Sequence, residues 1–232
     1  AISFKAIASG NTDMVLGNVI GSNITNGLLI LGVASIIRTI TVKQNTVNKE
    51  LPLHLLISSI LLVLFLDTEI NNITPNMISR SDAIAVLLVF SVFIYYIISI
   101  SRNKIDEDEE PGKYSTPKSL LFVALGLAGI LAGSDLVVDS ATHIAENLGI
   151  SERIISLTII AIGTSLPELV TTIISSLKKE QDILVGNIIG SNIFNICIVL
   201  GLPTAIYGSI IPSTFQLIDL LVLLLMSIFI YI

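Results

Sequence analysis

The chain has 232 residues, 53% of them hydrophobic and 13% charged, with a mean hydropathy of +0.90, more apolar surface than one water-soluble core can hide. Twelve Lys and Arg against 18 Asp and Glu, a net charge of -6 and the lack of a basic stripe exclude a nucleic-acid binder, and Cys197, the lone cysteine, excludes an intrachain disulfide scaffold. The apolar residues fall in runs of about 20, enough to cross a hydrocarbon layer at about 1.5 Å per residue, so the chain reads as an all-α polytopic membrane protein.

In chain order, seven spans are expected, at about 14–37, 51–66, 83–100, 119–145, 154–177, 183–202 and 215–232. The 51–66 segment is short, which implies little tilt or flanks that enter the interface. Residues 38–50, 67–82 and 101–118 carry Asn, Pro and charge and read as connectors. The last holds the acidic run Asp106 to Glu110, which has no apolar partner and makes this segment the best linker. Counting basic residues on alternate sides gives nine (38, 43, 49, 102, 104, 113, 118, 178, 179) against two (80, 153). By the positive-inside rule the nine-residue side, with the acidic 101–118 loop, is cytoplasmic and the protein is a multi-pass cell-membrane protein.

An internal repeat organises the chain. Asp13 to Gly32 aligns without a gap on Asp182 to Gly201 at an offset of 169 residues, with 11 of 20 positions identical. Apolar helices match by chance at Leu, Ile and Val, but the shared positions include Asp, Gly, Ser and Asn at fixed spacing. With seven alternating spans, the second copy crosses in the opposite sense to the first. That is an inverted-topology repeat, the architecture that places a transported substrate at mid-membrane.

Within each GN-x-x-GSN-x-x-N copy, small and amide residues recur at helical spacing. Ser22 and Asn26, four apart, share one face, as do Ser191 and Asn195. Their hydroxyl and amide oxygens are hard neutral donors suited to Na⁺ and Ca²⁺. The alternative use of such residues is tight packing and interhelical amide bonding, which competes most strongly for Asn23 and Asn192, one step round the helix. Gly163 and Pro167 interrupt the span before the second copy, so a mid-membrane break is expected there. Ser165 and Glu168 have capping-box spacing, with Pro167 in the new first turn. The break is expected to free the Ala161 and Ile162 carbonyls, tolerable only toward protein or an ion. With Thr164, Ser165 and Glu168 they make most of an oxygen cage; the bland alternative for Glu168 is a protonated cap. Asp135 and Asp139 share a face and either line an access route or lie at the interface. His54 and His143 are isolated, so no two-histidine metal site or catalytic triad can be assembled.

GTSLPEL (163–169) followed by GNIIGSNIFN (186–195) resembles the second alpha repeat of the cation/calcium antiporter superfamily, and specifically the prokaryotic sodium/calcium exchangers. GNVIGSNITN (17–26) resembles the later half of the first repeat, and the stretch from Ala128 to Gly163 resembles the lead-in to the second. The resemblance implies five helices plus five in two inverted halves, four central cation subsites, and Na⁺/Ca²⁺ exchange by alternating access with no enzymatic activity and no cofactor. It implies that Glu168 is a central glutamate bridging Ca²⁺ and Na⁺. Ala161 and Thr164 would lend backbone oxygens, Ser165, Ser191 and Ser22 would serve flanking Na⁺ subsites, and Asn26 and Asn195 would face the central ones. Several members carry a carboxylate at one of the last two positions; this chain has Asn at both, which weakens the case for three Na⁺ per Ca²⁺.

On this reading the chain, which begins without Met or a signal-peptide layout, holds about seven or eight helices. Residues 1–100 are a first repeat lacking its first two helices, 101–118 a linker, and 119–232 a second repeat lacking its last helix. A matching GTS-x-PE break is expected upstream of Ala1. The partners expected are Ca²⁺, Na⁺ and the bilayer, with the protein working as a monomer. The runner-up is a proton/calcium exchanger; a passive cation channel would want a continuous polar stripe or filter ring.

Overall fold

The computed structural model describes residues 2–8, 10–72, 75–103, 115–211 and 217–231. The acidic run Asp106 to Glu110 lies outside the described residues.

A short helix, α1 (Ile2–Ala8), ends at Gly10, whose φ of +77° suits a residue without a Cβ. The long apolar helices follow: α2 (Thr12–Ile37), α3 (Thr46–Leu64), α4 (Arg80–Asn103) and α5 (Thr116–Asn147). Then come the two pieces of a bent span, α6 (Thr158–Thr164) and α7 (Leu166–Lys178), and finally α8 (Gln181–Tyr207) and α9 (Leu217–Tyr231). Six of the seven expected spans are present among the described residues as helices long and apolar enough to cross a membrane, the bent pair counting as one, and the last, expected at 215–232, is a shorter apolar helix of 15 residues. One boundary changes: residues 46–50, expected as loop, form a π turn that extends α3 to 19 residues and lengthens the short span.

Residues 169 apart adopt the same local structure. Asn11 and its counterpart Glu180 are the N-caps of α2 and α8 with similar backbone angles, although only Asn11 caps through its side chain, accepting the Met14 N–H at 3.1 Å. Gly10 and Lys179, both left-handed, end the short helices that precede α2 and α8. Each GSN helix then passes into a π turn, Thr25–Ile30 in α2 and Asn195–Leu200 in α8. An inserted π turn shifts the side-chain register and is frequent at functional sites.

The cross-contacts are reciprocal. Asn26 Nδ2 donates to Asn192 Oδ1 at 3.0 Å, while Asn195 Nδ2 donates to Asn23 Oδ1 at a longer 3.4 Å. The Thr12 hydroxyl donates to the Ile211 carbonyl, and its counterpart Gln181 donates to the Thr39 carbonyl. Ser58 of α3 and Ser227 of α9, themselves 169 apart, bond to each other at 3.0 Å, so a pseudo-two-fold axis passes between them. Such i-to-j and j-to-i pairing is the signature of two-fold related surfaces.

The core where α2, α3, α8 and α9 meet contains Leu16, Ile20, Ile57, Leu61, Ile188 and Leu223, all essentially inaccessible. Outward-facing Leu120, Phe122, Leu136 and Leu225 are exposed, as lipid-facing residues are. The α6/α7 span bends by 48° at Ser165 and packs on α2, α5 and α8, which brings the break to both GSN helices.

Candidate cation site

Pro167 has no N–H to offer Gly163, so an α-helix cannot run through this turn. Ser165 takes the junction, with φ -93° and ψ 1°, and α7 starts at Leu166. Two local expectations are corrected here. The Ala161 and Ile162 carbonyls are not left free, because both accept the Ser165 N–H, at 3.2 and 3.0 Å, in a bifurcated last turn. Nor does the capping box close: Ser165 Oγ makes no capping bond, and it is buried without a partner.

The break lies against α2. Ser22 Oγ is 2.8 Å from Thr164 Oγ1 and 3.3 Å from the Ala161 carbonyl, and Thr164 Oγ1 is 3.1 Å from the same carbonyl. Thr164 Oγ1 also reaches Asn18 Oδ1 at 3.0 Å. Four oxygens share two hydroxyl protons, an acceptor-rich cluster. Adjacent ligands of a cation held at about 2.3–2.6 Å sit roughly 3.3–3.7 Å apart, so small outward movements of this triangle would admit one. A cavity of about 360 Å³ opens on the cluster, lined by Asn18, Ser22, Thr164, Asp135 and Asn195 among others. Asp135 thus lies in the wall of the cavity that meets the oxygens, whereas Asp139 is not among the lining residues.

Asn195 also borders a second cavity, of about 340 Å³, with Glu168, Asn187, Ser191 and Phe194. The Glu168 carboxylate is half-buried and shares the wall of this cavity with Ser191. Its second oxygen, Oε2, is buried with no donor. Buried polar atoms are nearly always bonded, and the side-chain oxygens left without a partner include Ser165 Oγ and Glu168 Oε2, at or beside the break, and Asn26 Oδ1, at the α2–α8 contact. An unsatisfied carboxylate oxygen at a cavity wall is what a bound cation satisfies. Among the described residues no group of three or more His, Cys, Asp or Glu comes together, so the oxygens are mainly neutral.

The structure therefore joins Ala161, Thr164 and Ser22 in one cluster and Glu168, Ser191 and Asn195 round one cavity. Asn26 is buried at the α2–α8 contact, and Ser165 sits at the bend. Asn23 and Asn192 make the interhelical amide bonds that were their alternative use, and their partners in those bonds are Asn195 and Asn26. Thr25 and Phe194, the mismatched repeat positions, differ in burial, 9% against 47% exposed, so the halves are not strictly symmetric. Sequence reasoning passed over Asn18 and its counterpart Asn187, although both belong to the repeated GN pair. It also dismissed His54, which is 1% exposed with Nε2 3.4 Å from Asn192 Nδ2.

Two oppositely oriented copies of an oxygen-bearing helix, closed by a broken helix with a half-buried carboxylate, define an inverted-repeat cation transporter, not an enzyme. Residues 1–99 and 118–232 match the family described as sodium/calcium exchanger protein, and the chain belongs to that family. It is 39% identical over 238 residues to inner membrane protein YrbG of Escherichia coli, covering 98% of this chain and 70% of the relative. Membrane protein MJ0091 of Methanocaldococcus jannaschii is 32% identical over 216 residues, covering 93% and 67% respectively. The chain thus spans about two thirds of the length of these relatives. Its fold superposes on the sodium-calcium exchanger NCX_Mj, from crystals soaked with 2.5 mM Na⁺ and 10 mM Sr²⁺, with a TM-score of 0.78 and 31% identity over 99% of this chain and 71% of that one.

Proposed function

We propose that the protein exchanges Na⁺ for Ca²⁺ across the membrane by alternating access, with the oxygens around the α6/α7 break as the ion site. The observation that carries this reading is that Ser22, Thr164 and the Ala161 carbonyl cluster at the break, while Glu168, with Oε2 unsatisfied, shares a cavity with Ser191 and Asn195 of the other copy. Glu168 is the charged ligand for Ca²⁺ and, in turn, for Na⁺. Ser22, Ala161 and Thr164 hold a flanking Na⁺, Ser165 and Ser191 serve neighbouring positions, and Asn26 and Asn195 face the centre.

The working architecture has inverted halves at 1–100 and 119–232 joined by a cytoplasmic 101–118 segment, the side favoured by nine basic residues against two. Both GSN helices come from one chain, which supports a monomeric unit. Hard neutral oxygens round a single carboxylate suit Na⁺ and Ca²⁺ better than a proton relay, which wants more ionisable groups.

The experiment is Ca²⁺ uptake by full-length protein in sealed vesicles. Uptake is expected when Na⁺ is loaded inside and diluted outside. Equal uptake on a proton gradient with Na⁺ absent would replace this reading by proton/calcium exchange, and uptake independent of either gradient would replace it by a passive channel.

A further inference from the structure

An amide has an accepting end and a donating end, and only the oxygen can bind a cation. Asn26 turns its Nδ2 to Asn192 Oδ1 at 3.0 Å, which leaves Asn26 Oδ1 buried and unpartnered. Asn192 Nδ2 in turn faces His54 Nε2 at 3.4 Å. Asn26, Asn192 and His54 are 0%, 0% and 1% exposed, so their orientations are settled within the chain of three and not by water. With Asn192 donating, His54 Nε2 is the acceptor and its ring proton sits on Nδ1.

The repeat supplies an internal comparison. Asn195 and Asn23 form the related amide pair, at 3.4 Å. The position related to His54 by the 169-residue offset is Leu223, fully buried and unable to accept, and Asn23 Nδ2 has no partner. One amide pair is therefore anchored by an acceptor on α3, and the other is left without one on α9.

We infer that His54 is a positioning residue: by accepting from Asn192 it fixes the Asn26 amide with its oxygen, not its NH₂, toward the transported cation. This rests on the exchange reading above. Without an acceptor at 54, Asn192 has no reason to keep its oxygen toward Asn26. Both amides are then free to flip, and Asn26 spends part of its time presenting a donor to a cation.

The test uses full-length protein in vesicles and reads Na⁺-gradient-driven Ca²⁺ uptake. In the wild type, absence of any such uptake would defeat the exchange reading itself, separately from this inference. Given wild-type uptake, His54→Leu, which copies the related position, is expected to raise KM for Ca²⁺ about tenfold, the scale of one lost bond to a charged group, with kcat within about twofold. His54→Gln, whose amide oxygen can accept from Asn192, is expected to restore KM to within about twofold of wild type. In an Asn26→Asp background the site atom is an oxygen in either orientation, so the effect of His54→Leu is expected to fall below about twofold. If His54→Leu does not accumulate, His54→Met replaces it as an unbranched side chain without a strong acceptor. An unchanged KM in the non-accepting variant, a His54→Gln no better than that variant, or an equal loss in the Asn26→Asp background would each overturn the inference and leave His54 as packing.

Discussion

Glu168 is half-buried beside Ser191, with its Oε2 buried and without a donor. The capping box that Glu168 was expected to share with Ser165 does not form, because Ser165 makes no side-chain capping bond. Glu168→Gln keeps the shape and removes the charge. It is expected to lower Ca²⁺ affinity at least about hundredfold, since losing one partner from a buried charge contact costs roughly 3 kcal/mol or more, with folded yield near wild type. Calorimetry on purified protein checks this; near-wild-type affinity would make Glu168 a cap. Glu168, Ser22 and Asn26 were legible in sequence because polar residues in an apolar span must have a reason to be there. His54 was not, because a lone histidine has no spacing pattern. Its partner Asn192 is 138 residues away, a relation that only packing creates.

At the scale of elements, the bend was readable from Gly163 and Pro167, since missing N–H groups are written in residue type. The π turns at Thr25–Ile30 and Asn195–Leu200 were not, because an added residue per turn follows from how the two GSN helices pack and leaves no mark in composition. The length of α3 was underestimated because polar residues 46–50 read as loop, although they only extend the helix past its apolar stretch. Gly163 also sets how closely α5 approaches the break. A Cβ there would lie 2.0 Å from Val138 Cγ2, a stiff β-branched side chain on a helix. Gly163→Ala is therefore expected to push α5 from α6 and destabilise the protein by about 1–3 kcal/mol, seen as a lower unfolding midpoint. An unchanged midpoint would mean that α5 yields freely at this contact.

For the whole molecule, the repeat was legible from the 169-residue offset, and the reciprocal bonds of Asn26, Asn195, Ser58 and Ser227 give it physical form. What the offset alone does not convey is the asymmetry, with His54 facing one amide pair and Leu223 the other. Charge sets a further whole-molecule expectation. With Asn at positions 26 and 195, the proposed ligands carry one carboxylate in this chain, Glu168; on the proposed reading a repeat-related glutamate makes two formal negative charges, which one Ca²⁺ or two Na⁺ neutralise, with Asp135 in the wall of the neighbouring cavity. A third Na⁺ leaves an excess charge that costs several kcal/mol in a dry site unless dipoles such as those of Ser22, Thr164 and Ala161 offset it. Weak occupancy of a third Na⁺ is expected, with a steeper Na⁺ dependence after Asn195→Asp. A reversal potential fitting three Na⁺ per Ca²⁺, unchanged by Asn195→Asp, would show that the charge count does not set the stoichiometry.

The central claim is that Na⁺ and Ca²⁺ compete for one set of oxygens built on Glu168. Equilibrium Ca²⁺ binding to purified full-length protein, titrated with Na⁺ at constant ionic strength, tests it most directly. The expected result is full displacement of Ca²⁺ by Na⁺, but not by a bulky organic cation at the same concentration, with binding lost in Glu168→Gln. Saturable Ca²⁺ binding that Na⁺ leaves unchanged, or that survives in Glu168→Gln, would contradict the account.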